Sequence, residues 1–222
     1  MHVMLIPDGD RRYALKHNVS LLAAYEQAAE VARKLVEWVL VDGGADEFTF
    51  FGLSLANIAG RKTAELRPIM DVQTKSLRDL NASPLLRRHG IRVLVHGESK
   101  MLPREYRAAI HEIESATESY RGKTLNLLLA YSGMDDLAQA IRATVESKER
   151  PSMENVLAHC MIHSPIDFLF RTANEKRVSD GPLFLMPYTE FEFIPNLFPE
   201  LTKADILKAL SACSDRKRTF GV

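Results

Sequence analysis

Short apolar runs without polar alternation recur along the chain, separated by longer stretches with helical spacing. The first is His2 to Pro7 (HVMLIP). Others are Glu47–Leu53 (EFTFFGL), Ile91–His96 (IRVLVH), Thr124–Ala130 (TLNLLLA), Ile166–Phe170 (IDFLF) and Phe191–Ile194. Runs of this kind fit strands buried on both faces. Between the first two, Ser20 is placed to cap a helix in which Ala24, Ala28, Val31, Ala32, Leu35 and Trp38 share one face, and Gly43-Gly44 ends it. The same periodicity predicts helices over Thr63–Leu80, Pro103–Ser119, Asp135–Ser147, Ser152–Met161 and Thr202–Ala212. Strands that alternate with helices predict an α/β fold, with a mostly parallel central sheet of about six strands covered by helices on both sides. No repeat, low-complexity stretch or linker interrupts the pattern, so residues 1–222 are expected to form one domain.

Composition changes this picture little. Lys plus Arg number 29 and Asp plus Glu number 29, so the chain carries no basic excess of the kind that nucleic acid or an anionic membrane surface would select. No apolar run reaches the ~18–20 residues of a membrane span, and charge at Asp8 follows the short N-terminal run too soon for a signal peptide. These features predict a cytoplasmic protein without stable membrane insertion. Cys160 and Cys213 lie far apart without CxxC spacing and read as reduced, semi-buried thiols.

In parallel sheets, ligands bind beyond the carboxyl ends of the strands, so residues just past each run are the ones to read for chemistry. After the first comes Pro7-Asp8-Gly9-Asp10-Arg11-Arg12-Tyr13 at the start of a helix. There the helix N-terminus attracts phosphate, Arg11 and Arg12 can grip its oxygens, and Asp8 can hold a Mg²⁺ that phosphates also ligate. An Asp-Gly turn flanked by Arg is equally a common surface feature. After the second run come Ser54 and Asn57, residue types that ordinarily form turns or caps. After the fifth, Arg171, Arg177 and Ser179 could clasp a second diphosphate, or belong to a solvated loop. Glu190 sits among Tyr188, Phe191 and Phe193, as a paired charge or a functional acid. No GxGxxG, Walker or GxSxG motif competes. His159 and His163 are four apart in a predicted helix but have no third ligand nearby, which argues against zinc.

Taken in order, these segments resemble the cis-prenyltransferases, of which undecaprenyl diphosphate synthase is the best-known member. HVMLIPDGDRRYA resembles the family's strand followed by D-G-N-G-R-W-A, and SLAN resembles S-x-E-N. TLNLLLAYSGMDDL resembles L-N-x-A-x-N-Y-G-G-R-x-D-I, DFLFRTANEKRVS resembles D-L-x-I-R-T-G-G-E-x-R-x-S, YTEFEF resembles Y-x-E-x-x-F, and SDRKRTFG resembles the closing R-x-R-R-F-G. The resemblance covers essentially the whole chain. It implies the undecaprenyl diphosphate synthase-like fold, Mg²⁺ as cofactor and a homodimer to which Tyr188–Phe198 could contribute. By position it implies Asp8 as ligand to Mg²⁺ and the leaving diphosphate, with Gly9, Asp10, Arg11 and Arg12 on the allylic diphosphate. It further implies Ser54 and Asn57 in positioning and proton removal, Arg171, Arg177 and Ser179 as the second clamp, and Glu190 as an acid of that site, in some members supplied across a dimer interface.

Departures from the pattern narrow the reading. The family's Asn-Gly pair is Asp10-Arg11, its helical Arg and His fall on Leu21 and Tyr25, and its Trp and next Arg fall on Ile58 and Gly60. Its Gly-Gly after Arg171-Thr172 is Ala173-Asn174. The altered pattern PDGDRRY, VSLLAAY, SLAN and DFLFR resembles the lavandulyl and cyclolavandulyl diphosphate synthases, which join two dimethylallyl diphosphates irregularly. The resemblance implies such a synthase, with Tyr25 as a candidate for proton transfer and dimethylallyl or another short allylic diphosphate as substrate. Leu21 and Tyr25, four apart on one helix face, are expected to make the chamber smaller and more apolar. The alternatives it leaves open are a regular short-chain enzyme using isopentenyl diphosphate, a cyclase acting on one longer prenyl diphosphate, and a catalytically silent subunit.

Overall fold

The computed structural model describes residues 1–148, 150 and 152–216. The closing run likened to R-x-R-R-F-G lies mostly outside the described residues. Six strands are described: β1 (His2–Ile6), β2 (Glu47–Ser54), β3 (Ile91–His96), β4 (Lys123–Tyr131), β5 (Phe168–Arg171) and β6 (Glu190–Phe193). They form one sheet in the order β3-β4-β2-β1-β5-β6, and every neighbouring pair is parallel. The helices are α1 (Asp10–His17), α2 (Leu21–Glu37), α3 (Leu55–Gly60), α4 (Thr63–Ala82), α5 (Pro84–His89), α6 (Arg104–Thr117), α7 (Gly133–Glu146), α8 (Met153–Ala158) and α9 (Lys203–Ser214).

β1 is buried along its whole length because both of its faces are covered. Val3 and Leu5 pack into a large core with Val31 and Leu35 of α2, Leu77 of α4 and Ile110 of α6. Met4 and Ile6 point the other way, into a second core with Leu128, Ile162 and Leu185. An uninterrupted apolar run is what a strand needs when side chains alternate between two dry faces. Polar groups on the second face are paired. His2 shares hydrogen bonds with Thr49 (2.7 Å) and Ser164 (3.0 Å), Ser164 donates to Glu47 (2.5 Å), and Asn126 joins Glu47 (2.5 Å) to His96 (2.9 Å).

Some expectations shift. Ser20 caps α2 by accepting from the Ala23 amide, but the helix closes through a wide turn, Trp38–Asp42, in which Gly43 N–H donates to Trp38 O (2.9 Å). That turn seats Gly43 against Leu210 of α9, where a Cβ would lie 2.4 Å from the leucine Cδ1. The periodicity did not delimit α1, α3 or α5, whose six to eight residues span too few turns to show a face. α8 stops at Ala158, so His159 and His163 do not share a helix. Cys160 and Cys213 are buried rather than half-buried, and burial with nearby Asp136 pushes the Cys160 thiol up to about 11.

Candidate active site

β1 delivers Asp8 one residue beyond Pro7 at its carboxyl end, and β5 delivers Arg171 as its last residue beside Ile6. Thr172, fully buried, ties the two strand ends together: its hydroxyl donates to Asp8 O (2.9 Å) and accepts from Asp8 N–H (2.7 Å). Gly9 then turns the chain into α1 with φ 114, and a Cβ there would lie 2.9 Å from Leu197 Cδ2. Only glycine combines that backbone with that contact.

Three guanidiniums converge on Asp8. Arg171 donates to Oδ2 (2.7 Å), Arg12 donates to Oδ1 (3.2 Å), and Arg177 lies 3.7 Å from Oδ2. Glu175 is the second anion, accepting from Arg12 (2.9 Å) and from Arg177. Within this cluster three guanidiniums face two carboxylates. Arg171 is buried, and its Nε has no partner among the described residues. Burial pulls its pKa down while Asp8 pulls it back up. A buried guanidinium with an unspent donor is primed for an anionic oxygen.

The structure thus brings Asp8, Arg12, Arg171 and Arg177 together around one cavity, and Gly9, Asp10, Arg11, Tyr25, Ser54, Asn57 and Ser179 line it as well. Arg11 reaches Glu65 (2.9 Å) rather than Asp8. Asp10 Oδ1 and the Tyr25 hydroxyl are buried atoms without hydrogen-bond partners among the described residues. Burial, with the Asp8 charge beside it, pushes the Asp10 carboxyl up to about 6; burial also raises the Tyr25 phenol, keeping it neutral. Ser54 performs the capping role its residue type suggests: Oγ accepts from Asn57 N–H (3.0 Å) and holds α3 on the rim.

Two expectations are corrected, and a third rests on a partner subunit: Glu190 does not line the cavity within this chain. It opens β6 beside Phe168, three residues upstream of the Arg171–Phe193 pair, and accepts from Arg216 (3.2 Å). Leu21 is not part of the wall; of the two substituted helix positions only Tyr25 faces the cavity. Nor is the chamber small. Its volume is about 1000 Å³, at the upper end of the roughly 300–1,000 Å³ of small-molecule sites. The reason is depth. The cavity continues between the sheet and the α2 and α4 helices down to Val36, Phe48, Leu77, Leu80 and Leu125. Sequence reasoning also passed over Glu175 and Thr172, although both stand in the RTANEKR segment. Their partners, Arg12 and Asp8, lie more than 160 residues away.

Mg²⁺ fits the donors present. Among the described residues no three acidic, His or Cys side chains form a cage. Asp8, a partly exposed carboxylate on the cavity wall, offers the one or two protein oxygens that Mg²⁺ takes when phosphates and water complete its shell.

A cluster of arginines and a carboxylate thus stands over a deep cavity at the carboxyl ends of a parallel sheet. The family model described as "Putative undecaprenyl diphosphate synthase" matches residues 6–221, and the chain belongs to this cis-prenyltransferase family. It is a prenyltransferase enzyme. It is 31% identical over 227 residues to the tritrans,polycis-undecaprenyl-diphosphate synthase (geranylgeranyl-diphosphate specific) of Pyrobaculum aerophilum, covering 99% of this chain and 95% of that protein. It is 31% identical to the isoprenyl transferase of Aquifex pyrophilus, with the same coverage. Among solved structures, lavandulyl diphosphate synthase from Lavandula x intermedia, in complex with dimethylallyl diphosphate, superposes with a TM-score of 0.93 at 28% identity, over 100% of this chain and 98% of that one. A probable undecaprenyl diphosphate synthase from Campylobacter jejuni shares the fold, with a TM-score of 0.84 at 24% identity over 100% and 98% of the two chains. Among the described residues no helix is long and apolar enough to cross a membrane.

Proposed function

We propose that the enzyme condenses two dimethylallyl diphosphates into a branched or cyclic ten-carbon diphosphate of the lavandulyl or cyclolavandulyl type, releasing pyrophosphate. The observation that carries this reading is the full-length likeness, at a TM-score of 0.93, to a lavandulyl diphosphate synthase holding dimethylallyl diphosphate. The wall residues agree with it. Where ordinary members carry an imidazole, the wall offers the neutral Tyr25 hydroxyl.

In this reading Arg12, with Arg11 beside it, holds oxygens of the allylic diphosphate and stabilises the charge that grows on the leaving group, which is where preorganised donors act most strongly. Mg²⁺, bound through Asp8, supplies Lewis-acid neutralisation of that group. Arg171, Arg177 and Ser179 orient the second substrate, so that its double bond meets the allylic cation without a bimolecular search. Apolar walls such as Ile69, Val72 and Leu129 keep water from the cation. A proton then leaves to pyrophosphate or to a group near Tyr25 and Asn57. Glu190 completes the second site only if a partner subunit presents it, so the same reading includes a homodimer working in the cytoplasm.

The depth of the cavity favours a second reading, regular elongation with isopentenyl diphosphate. One experiment separates the two. The protein is incubated with dimethylallyl diphosphate, with and without Mg²⁺ and labelled isopentenyl diphosphate, and the products are read by mass spectrometry. A ten-carbon diphosphate formed from dimethylallyl diphosphate alone supports the proposal. Efficient label incorporation into linear products of fifteen carbons or more overturns it.

A further inference from the structure

The cavity is crossed midway by a hydrogen-bonded polar bar. Gln73 stands near the centre of the 20-residue α4. Its Nε2 donates to Gly52 O of β2 (2.9 Å), and its Oε1 accepts from the Tyr106 hydroxyl of α6 (2.8 Å). All three residues line the cavity, so the amide reaches from the helix layer to the sheet through the space between them.

Both ends of the bar are rigid. β2 bulges at Gly52, where its register against β4 shifts between Phe51 and Leu53. A backbone carbonyl can only accept, so the amide nitrogen faces Gly52 and the amide oxygen is left for Tyr106. Tyr106 is almost fully buried, and burial keeps its phenol neutral and able to donate. A glutamine tethered at both amide atoms has lost the rotamer freedom that would let a ligand push it aside.

Element direction shows what lies on each side. α2 and α4 both start at the carboxyl end of the sheet and run toward its opposite edge. Tyr25, Ser54 and Asn57 therefore stand above the bar with the arginine cluster, and Val36, Leu77, Leu80 and Leu125 stand below it. The upper space holds the diphosphate grip. The lower space is walled mainly by apolar side chains, with the Arg33–Ser76 hydrogen bond (3.2 Å) on its helix side, and has no charged group of the arginine cluster.

We propose that Gln73, oriented by Tyr106, is the residue that sets tail length: it confines the enzyme to five-carbon units by closing the deep compartment to longer prenyl tails. This rests on the reading of the site as one for short allylic diphosphates. A longer tail meeting the bar would have to break two buried hydrogen bonds or strip them of partners, which disfavours it against a tail that ends above.

The test measures affinity by calorimetry for the thiolodiphosphate analogues of dimethylallyl, geranyl and farnesyl diphosphate, alongside turnover of the three diphosphates themselves. The wild type is expected to prefer the five-carbon analogue. Gln73→Ala is expected to raise the ratio of geranyl to dimethylallyl affinity at least roughly ten-fold, because further methylenes then enter apolar space. Tyr106→Phe, which removes one oxygen and frees one end of the amide, should shift the ratio the same way by a smaller factor and covers the case in which Gln73→Ala fails to fold. A merely structural role would weaken all three analogues together and leave the ratios alone. Equal wild-type affinity for the five- and fifteen-carbon analogues overturns the proposal, as do folded variants with unchanged ratios. If the wild type does not turn over dimethylallyl diphosphate yet the ratios shift in the variants, the functional reading fails and the bar stands as a barrier to longer tails. If dimethylallyl diphosphate turns over and the ratios stay fixed, only the bar fails.

Discussion

At the scale of single residues, the site is organised around one carboxylate. Asp8 is the shared partner of Arg12, Arg171 and Arg177, and Thr172 fixes its backbone. Asp8→Ala removes the anion that orders three cations and a candidate metal ligand in their midst. Pyrophosphate release should fall at least ~10²-fold, the usual loss for one transition-state charge stabiliser. An enzyme-coupled pyrophosphate assay checks this, and a variant within a few-fold of wild type would remove Asp8 from the mechanism. The substitution of the family's Gly-Gly by Ala173-Asn174 is also a residue-scale matter. Both residues adopt left-handed backbone, φ 63 and φ 55, and both amides are used: Ala173 N–H donates to Asn196 O (2.7 Å) and Asn174 N–H to Ile194 O (3.1 Å). The hydrogen bonds impose a conformation that glycine adopts freely and alanine resists. That is a physical reason for glycine in the family pattern at these two places.

At the scale of elements, α3 shows how a short helix can matter to a site. It has six residues, none of them fully buried, and is anchored by its cap and by Leu55 and Ile58 packed against the core. The Ser54 hydroxyl that caps it also sets Asn57 on the cavity rim. Ser54→Ala loses a cap worth ~1 kcal/mol, and for a chain of this length that corresponds to a fall in Tm of no more than about 2–4 °C. Because α3 frays locally, the larger effect should be on kcat/KM, a drop of roughly five-fold for the ~1 kcal/mol by which Asn57 is no longer held. Ser54→Thr keeps the capping oxygen and should recover most of it. Steady-state kinetics and a melting curve on both variants decide the matter; identical losses in Ser54→Ala and Ser54→Thr would assign the serine a role beyond capping.

At the scale of the whole molecule, the two faces of the sheet divide the work. One face opens into the cavity, and the other carries the polar network of His2, Thr49, Glu47, Asn126, His96 and Ser164. Burial lowers the pKa of both His2 and His96, against the opposing pull of nearby acids. The unfolded chain therefore takes up these protons at a higher pH than the folded one, and stability drops as pH falls below about 6.5. Asp10 has the opposite sign. Its folded pKa of about 6 lies above the ordinary carboxyl value of 3.8, so the stability it contributes is full below about 4 and is lost as pH rises through 6. The two effects oppose each other between pH 5 and 7. Removing the second with Asp10→Asn should make Tm climb more steeply with pH across that window. Parallel Tm–pH curves for the variant and the wild type would show that Asp10 titrates as an ordinary carboxyl.

Much of this architecture is a property of the sequence alone. Unbroken apolar runs such as HVMLIP and TLNLLLA fit strands covered on both faces, and helical spacing between them makes a parallel sheet the consistent fold. Asp8, Arg12, Arg171 and Arg177 were legible because a strand's last residues in such a sheet face the ligand crevice, whatever the rest of the chain does. Other features depended on contacts between distant segments, which no local pattern encodes. Glu175 becomes part of the site through Arg12, and Glu190 lies outside this chain's own cavity because register places it at the opening end of β6. Substitutions at Leu21 and Tyr25 suggested a small chamber, but chamber size is set by the distance between layers, and only packing of α2 and α4 over the sheet makes it deep. Gln73 and Tyr106 read as ordinary helix residues in the sequence. They become a bar across the cavity only because three elements meet there, and hydrogen bonds across a fold are decided by where backbones come to rest.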